Sequence, residues 1–137
     1  MINNSNQVPI SIIKKGGNEN ENKPCQFGEL YYANLPVIVN SRVQQGLRPV
    51  LVISNNMCNL HSPVVSIVPL TTSITKAKIP THVAIEGYGL HMASTILTEQ
   101  IISLDKHRLQ EIIGDIGESD IKLKVMRALR TQLNMVA

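Results

Sequence analysis

The chain has 137 residues, 43% of them hydrophobic and 17% charged, with a formal net charge of +3; this suits one compact domain with a core of its own. Four aromatic residues, Phe27, Tyr31, Tyr32 and Tyr88, are too few for a broad base-stacking platform, and no segment approaches the ~18 consecutive apolar residues of a membrane-spanning helix. The mild positive charge permits a nucleic-acid or acidic-protein partner without requiring one.

The opening run, MINNSNQVPISIIKKGGNEN, sets Lys14 and Lys15 after its short apolar stretch, the wrong order for a secretory signal. Its Asn, Gly and Glu content makes residues 1–26 a poorly ordered extension, with the domain running from Phe27 to residue 137. GELYYANL (28–35) reads as a strand, and RPVLVIS (48–54), apolar on both alternating faces, as a central strand. NNMCNLHSP (55–63) reads as a turn-rich connection to the strand VVSIVPLT (64–71), where Pro69 marks an edge or a strand end. PTHVAIE (80–86) alternates a wetter face, His82, Ala84 and Glu86, with Thr81, Val83 and Ile85. STILTEQIISL (94–104) is the longest strand expected, and Glu99 and Gln100 in its middle must find hydrogen bonds. Asp105 reads as the N-cap of a short helix stapled by Leu104 and Leu109 and closed by Gly114. A last helix from about Ser119 gathers Ile121, Val125, Leu129 and Leu133 on one face, with Lys124, Arg127 and Arg130 as solvated charges. Five or more short strands with terminal helices make a small, partly open β-barrel of the α+β class.

Cys25 and Cys58 show no C-x-x-C or Cys/His metal spacing; free thiols in a reducing, cytosolic compartment are the expectation. His61, His82, His91 and His107 are scattered without acidic ligands at metal spacing, so neither a metal site nor a cofactor is expected. His82 reads as a strand histidine that satisfies a neighbour. Arg48 stands apart, because Pro49 holds it extended at a loop mouth. A guanidinium fixed there presents paired donors that match two phosphate oxygens.

In order and spacing, GELYYANL, QGLRPVLVISNN, NLHSPVVSIVPLTT, KAKIPTHVAIE and ILTEQIISLDKHRL resemble the MazF/PemK family of toxin endoribonucleases from type II toxin–antitoxin systems. The resemblance covers nearly everything from Phe27 onward. It implies an SH3-like barrel that dimerises and cuts single-stranded RNA without a metal, leaving a 2′,3′-cyclic phosphate and a 5′-hydroxyl. It also implies that Arg48 and Thr71 carry the chemistry and that Gln100 lies near the bound RNA; the loop residues Ser41, Arg42 and Gln45 are the further candidates for RNA contact. An antitoxin with an acidic, flexible tail is the implied protein partner. The loop departs from the family's frequent Gly-Ser-Glu-Gln-Gly-Gly: here NSRVQQG keeps Ser41, inserts Arg42 and Val43 and has no glutamate. That departure keeps open a catalytically silent barrel that binds RNA or a partner protein. A gyrase-poisoning relative with the same barrel ends in Trp-Gly-Ile, whereas this chain ends NMVA and has no tryptophan.

Overall fold

The computed structural model describes residues 24–73 and 79–135. Residues 1–23 of the expected extension lie outside it, but Cys25 is a core residue, packed in a cluster with Ala33, Leu35, Val50, Val52, Val65, Ile67 and Leu104. Burial raises the Cys25 thiol pKa, with the nearby Glu29 carboxylate adding to the effect, so the thiol stays protonated further up the pH scale. Cys58 is exposed. A thiol reagent at mildly alkaline pH should therefore titrate one cysteine rapidly in the native protein and two in denaturant. Equal native rates for both would contradict the burial.

Seven strands form one antiparallel sheet: β1 (Glu29–Leu35), β2 (Gly46–Val52), β3 (Val64–Thr71), β4 (His82–Ile85), β5 (Ser94–Leu97), β6 (Ile102–Asp105) and β7 (Leu109–Asp115). Their order is β4-β5-β3-β2-β1-β7, with β6 paired to β3 beside β5. The outer strands β4 and β7 do not pair with each other, so the barrel is an open one. β2 lies between β1 and β3, and its Val50, Leu51 and Val52 are all fully buried, as its two apolar faces require. One core includes Leu30, Leu51, Val68, Leu70 and Ile96 under the C-terminal helix α2 (Asp120–Gln132). The cluster around Cys25 fills the other face.

α2 starts where expected, after Ser119, and buries Ile121, Val125 and Ala128; Leu133, expected on that stripe, is 53% exposed. Four expectations are corrected. The connection at 55–63 holds a helix, α1 (Asn56–His61), capped by Asn55 Oδ1, which accepts from Cys58 N. Asn59 fastens it: buried, it donates to the Ser54 carbonyl at 2.9 Å. The long strand 94–104 is two strands, β5 and β6, because the polar residues Thr98, Glu99 and Gln100 take a turn where each finds partners. The helix expected at 105–114 is a single 3₁₀ turn, Lys106–Arg108, followed by β7, and Asp105 makes no side-chain cap bond. The fold thus has one C-terminal helix where two were expected. Pro69 lies inside β3. Ser66 accepts from Ile53 N on the β2 side, so alternation turns the Pro69 nitrogen the other way, between the ladders to β6 (through Ile67) and to β5 (from Leu70). No N–H is needed there.

Candidate active site

Arg48 is the third residue of β2, half-buried, and pairs with Ala33 on β1. The strand enters through Gly46 at φ +78° with open space around its Cα, so the left-handed backbone, not crowding, calls for glycine. On its other side β2 pairs with β3 as Val52–Ile67, Leu51–Val68 and Val50–Pro69, and there the ladder stops. The reason is Pro49. The bond from Ile53 N to Ser66 O shows that odd-numbered residues of this stretch face β3, so Pro49 stands where an N–H to Leu70 would continue the ladder, and it has none. Carried two residues past Val50 and Pro69, the register sets Arg48 opposite Thr71, the last residue of β3. Arg48 and Thr71 alternate with Val50, Val52, Val65 and Ile67, so they share the face of the Cys25 cluster, at its open end.

Both side chains are held. Arg48 Nε donates to the Gln45 carbonyl at 2.8 Å. Among the described residues no carboxylate pairs with the guanidinium, and its Nη nitrogens face no protein acceptor. Thr71 is 9% exposed, and its Oγ1 accepts from Ser73 N at 3.1 Å, which leaves the hydroxyl hydrogen to donate.

The loop before β2, residues 36–45, carries three of the other expected residues. Gln45 Nε2 donates to the Ile38 carbonyl at 2.7 Å, and Ser41 Oγ accepts from Val43 N at 3.2 Å. Arg42 is exposed. Gln100 joins them from the β5–β6 turn: its Oε1 accepts from Gln44 N at 2.9 Å. The structure therefore gathers Arg48, Gln45 and Gln100 into one bonded assembly, sets Thr71 across from Arg48, and leaves Ser41 and Arg42 on the adjoining loop. Sequence reasoning missed Pro49 as the residue that opens the ladder, although the Arg-Pro pair signalled it. It also missed the bonds from Thr81 and His82 to Glu99, at 3.0 and 3.1 Å, because it placed Glu99 inside a strand.

Among the described residues no three His, Cys, Asp or Glu side chains gather as a metal site needs, and no helix is long and apolar enough to cross a membrane. What the assembly offers is a charged planar fork and a hydroxyl donor on one face, suited to an anion with several oxygens.

Residues 26–133 match a family model described as the PemK-like, MazF-like toxin of type II toxin–antitoxin systems. The chain is 41% identical over 111 residues to "Endoribonuclease EndoA" of Bacillus subtilis (strain 168), covering 80% of this chain and 94% of that protein. To "Endoribonuclease MazF" of Staphylococcus epidermidis it is 44% identical over 110 residues, 79% of this chain and 90% of the relative. Among solved structures it resembles an endoribonuclease in complex with its cognate antitoxin from a mycobacterial species. The TM-score is 0.68 and the identity 28%, over 82% of this chain and 98% of that one.

Proposed function

The chain belongs to the PemK-like, MazF-like toxin family of type II toxin–antitoxin systems and is an endoribonuclease of that family; from this premise we propose that it cuts single-stranded RNA at Arg48 and Thr71 by metal-independent transesterification. The observation that carries this reading is the Arg48 fork, whose Nη nitrogens bond to no protein acceptor among the described residues, on the strand position that the register sets across from Thr71 where Pro49 ends the ladder. The ribose 2′-oxygen bonds to phosphorus as the bond from phosphorus to the 5′-oxygen breaks. The 2′-hydroxyl proton passes to solvent and the leaving 5′-oxygen takes one up, giving a 2′,3′-cyclic phosphate and a 5′-hydroxyl. Negative charge grows on the non-bridging oxygens meanwhile. Arg48 and Thr71 are fixed donors for it, and one such donor is worth ~2.7–4 kcal/mol in comparable oxyanion sites.

The exposed Arg42, with Ser41, Gln45 and the Gln100 amide, lines the approach and contacts RNA in this reading. The absence of a loop glutamate changes which bases are read: a carboxylate accepts from a cytosine amino group, and Val43 cannot. The partners proposed are a second copy of the chain and an antitoxin with an acidic, flexible tail. Support for the antitoxin comes from the complex formed by the mycobacterial neighbour and from the +3 charge, to which an acidic segment can fold. The location proposed is cytoplasmic, a reading that the two free thiols support.

Purified protein should cut a mixed single-stranded RNA into defined fragments with those ends, leave DNA of the same sequence uncut for want of a 2′-hydroxyl, and retain its rate in excess EDTA. Retention of RNA without cleavage would mark a silent binder. Activity abolished by EDTA and restored by magnesium or zinc would overturn the metal-independent chemistry.

A further inference from the structure

A path of hydrogen bonds and backbone links runs from the β5–β6 turn to Arg48, and Glu99, Thr81 and His82 at its start have no part in the reaction as proposed. Glu99 is its origin. One carboxylate oxygen accepts from Thr81 Oγ1 at 3.0 Å, and the other lies 3.1 Å from His82 Nε2. Both side chains of the His82–Glu99 pair are largely withdrawn from water, at 16% and 27% exposure, where polar contacts are stronger than on the open surface. The turn between β5 and β6 is further pinned to β4 by Thr98, whose N and Oγ1 both donate to the Thr81 carbonyl, at 3.1 and 2.6 Å. Gln100 follows Glu99 in that turn and donates its own N to the Leu97 carbonyl at 3.0 Å. Its side chain then holds Gln44 N, and the carbonyl of the next residue, Gln45, holds Arg48 Nε.

We infer that the His82–Glu99 pair is a positioning element for Arg48, acting through Gln100 and the backbone of Gln44 and Gln45. The inference rests on the reading of Arg48 as the donor to the scissile phosphate. His82 opens β4, an edge strand of four residues paired among the described residues with β5 alone, and Thr81 immediately precedes it. Without Glu99 the turn keeps its backbone bonds to Thr81 but loses the side-chain clamp that fixes the direction in which Gln100 leaves it. The 36–45 loop is otherwise tied chiefly to itself, through Ser41 and Gln45. A small displacement of Gln100 therefore passes to Gln44, then to the carbonyl that aims the guanidinium. Displacements of about 1 Å at a reacting group cost up to ~10²-fold in rate.

This role needs hydrogen-bonding groups at position 99, not a titrating carboxylate. Glutamine there still accepts from Thr81, and its amide donates to the imidazole in the opposite tautomer. The test is single-turnover cleavage of one RNA at saturating protein, with RNA binding and thermal melts measured alongside. Glu99→Ala should lower the rate at saturating protein about tenfold, with a smaller loss of RNA affinity, and Glu99→Gln should restore both to within about twofold of wild type. In an Arg48→Ala background, Glu99→Ala should cost nothing further, because the group it aims is gone. Should Glu99→Ala fail to fold, His82→Leu against His82→Gln makes the same comparison from the other partner.

A Glu99→Gln protein as slow as Glu99→Ala would overturn the inference, since the carboxylate itself would then be reacting. So would a further tenfold loss in the Arg48→Ala background, or full activity in Glu99→Ala. Those outcomes leave the role of Arg48 standing. A fully active Arg48→Ala protein would remove both readings together.

Discussion

Arg48→Ala should cut RNA at least ~10²-fold more slowly than the wild type, the scale of a deleted transition-state donor. Arg48→Lys keeps the charge and should still lose most of the rate, because an ammonium cannot donate to Gln45 and grip two phosphate oxygens in one plane. Both variants should fold. The side chain is half-buried and its one hydrogen bond among the described residues is to a loop carbonyl, worth about 1 kcal/mol, which moves Tm by roughly 5 °C or less in a domain of this size. Thr71→Ala should lose less rate in the same direction, a neutral hydroxyl being a weaker donor than a charged fork. Single-turnover cleavage by the three variants, with melts run in parallel, measures all of this. Near-wild-type rates in a folded Arg48→Ala protein would return Arg48 to an ordinary surface cation.

Gly114→Ala should be strongly destabilising for a single added methyl group. A Cβ at Gly114 would collide with the Tyr88 carbonyl, and one at Gly89 with the Ile113 carbonyl, so the 87–90 turn and β7 lie backbone against backbone. The turn has little room to yield: Gly87, Tyr88 and Gly89 all sit at positive φ. Displacing it or bending β7 away from β1 costs on the order of 3 kcal/mol or more, a fall in Tm of roughly 10 °C or greater. Gly46→Ala is the control. That glycine is left-handed but uncrowded, so an added methyl group there costs only about 1–2 kcal/mol. A melt of Gly114→Ala within 2 °C or so of wild type would show that this close approach is absent.

The strands with two buried faces or strict alternation were legible because the residue pattern itself states which side meets the core. RPVLVIS and VVSIVPLT became β2 and β3, and the wetter face of PTHVAIE became the half-exposed side of β4. The amphipathic period of α2 was legible for the same reason. Arg48 could also be picked out locally, since Pro49 dictates its backbone and its chemistry needs no neighbour to recognise.

Tertiary structure alone decided the rest. Leu104, Asp105, Leu109 and Gly114 have the spacing of a capped helix, yet the open edge of β1 takes 109–115 as a strand, because unpaired N–H and C=O groups on that edge gain partners along a ladder with two register shifts. Gly114 thereby changes meaning, from a helix stop to the place where a turn presses on a strand. Glu99 and Gln100 looked like a cost inside a strand, but their acceptors are spent on residues 17, 18 and 56 positions away. Such partners are chosen by folding, not by spacing. The opening between Arg48 and Thr71 is decided the same way: Pro49 is visible in the sequence, but that its missing N–H falls on the β3 side follows only from the register in which the two strands meet.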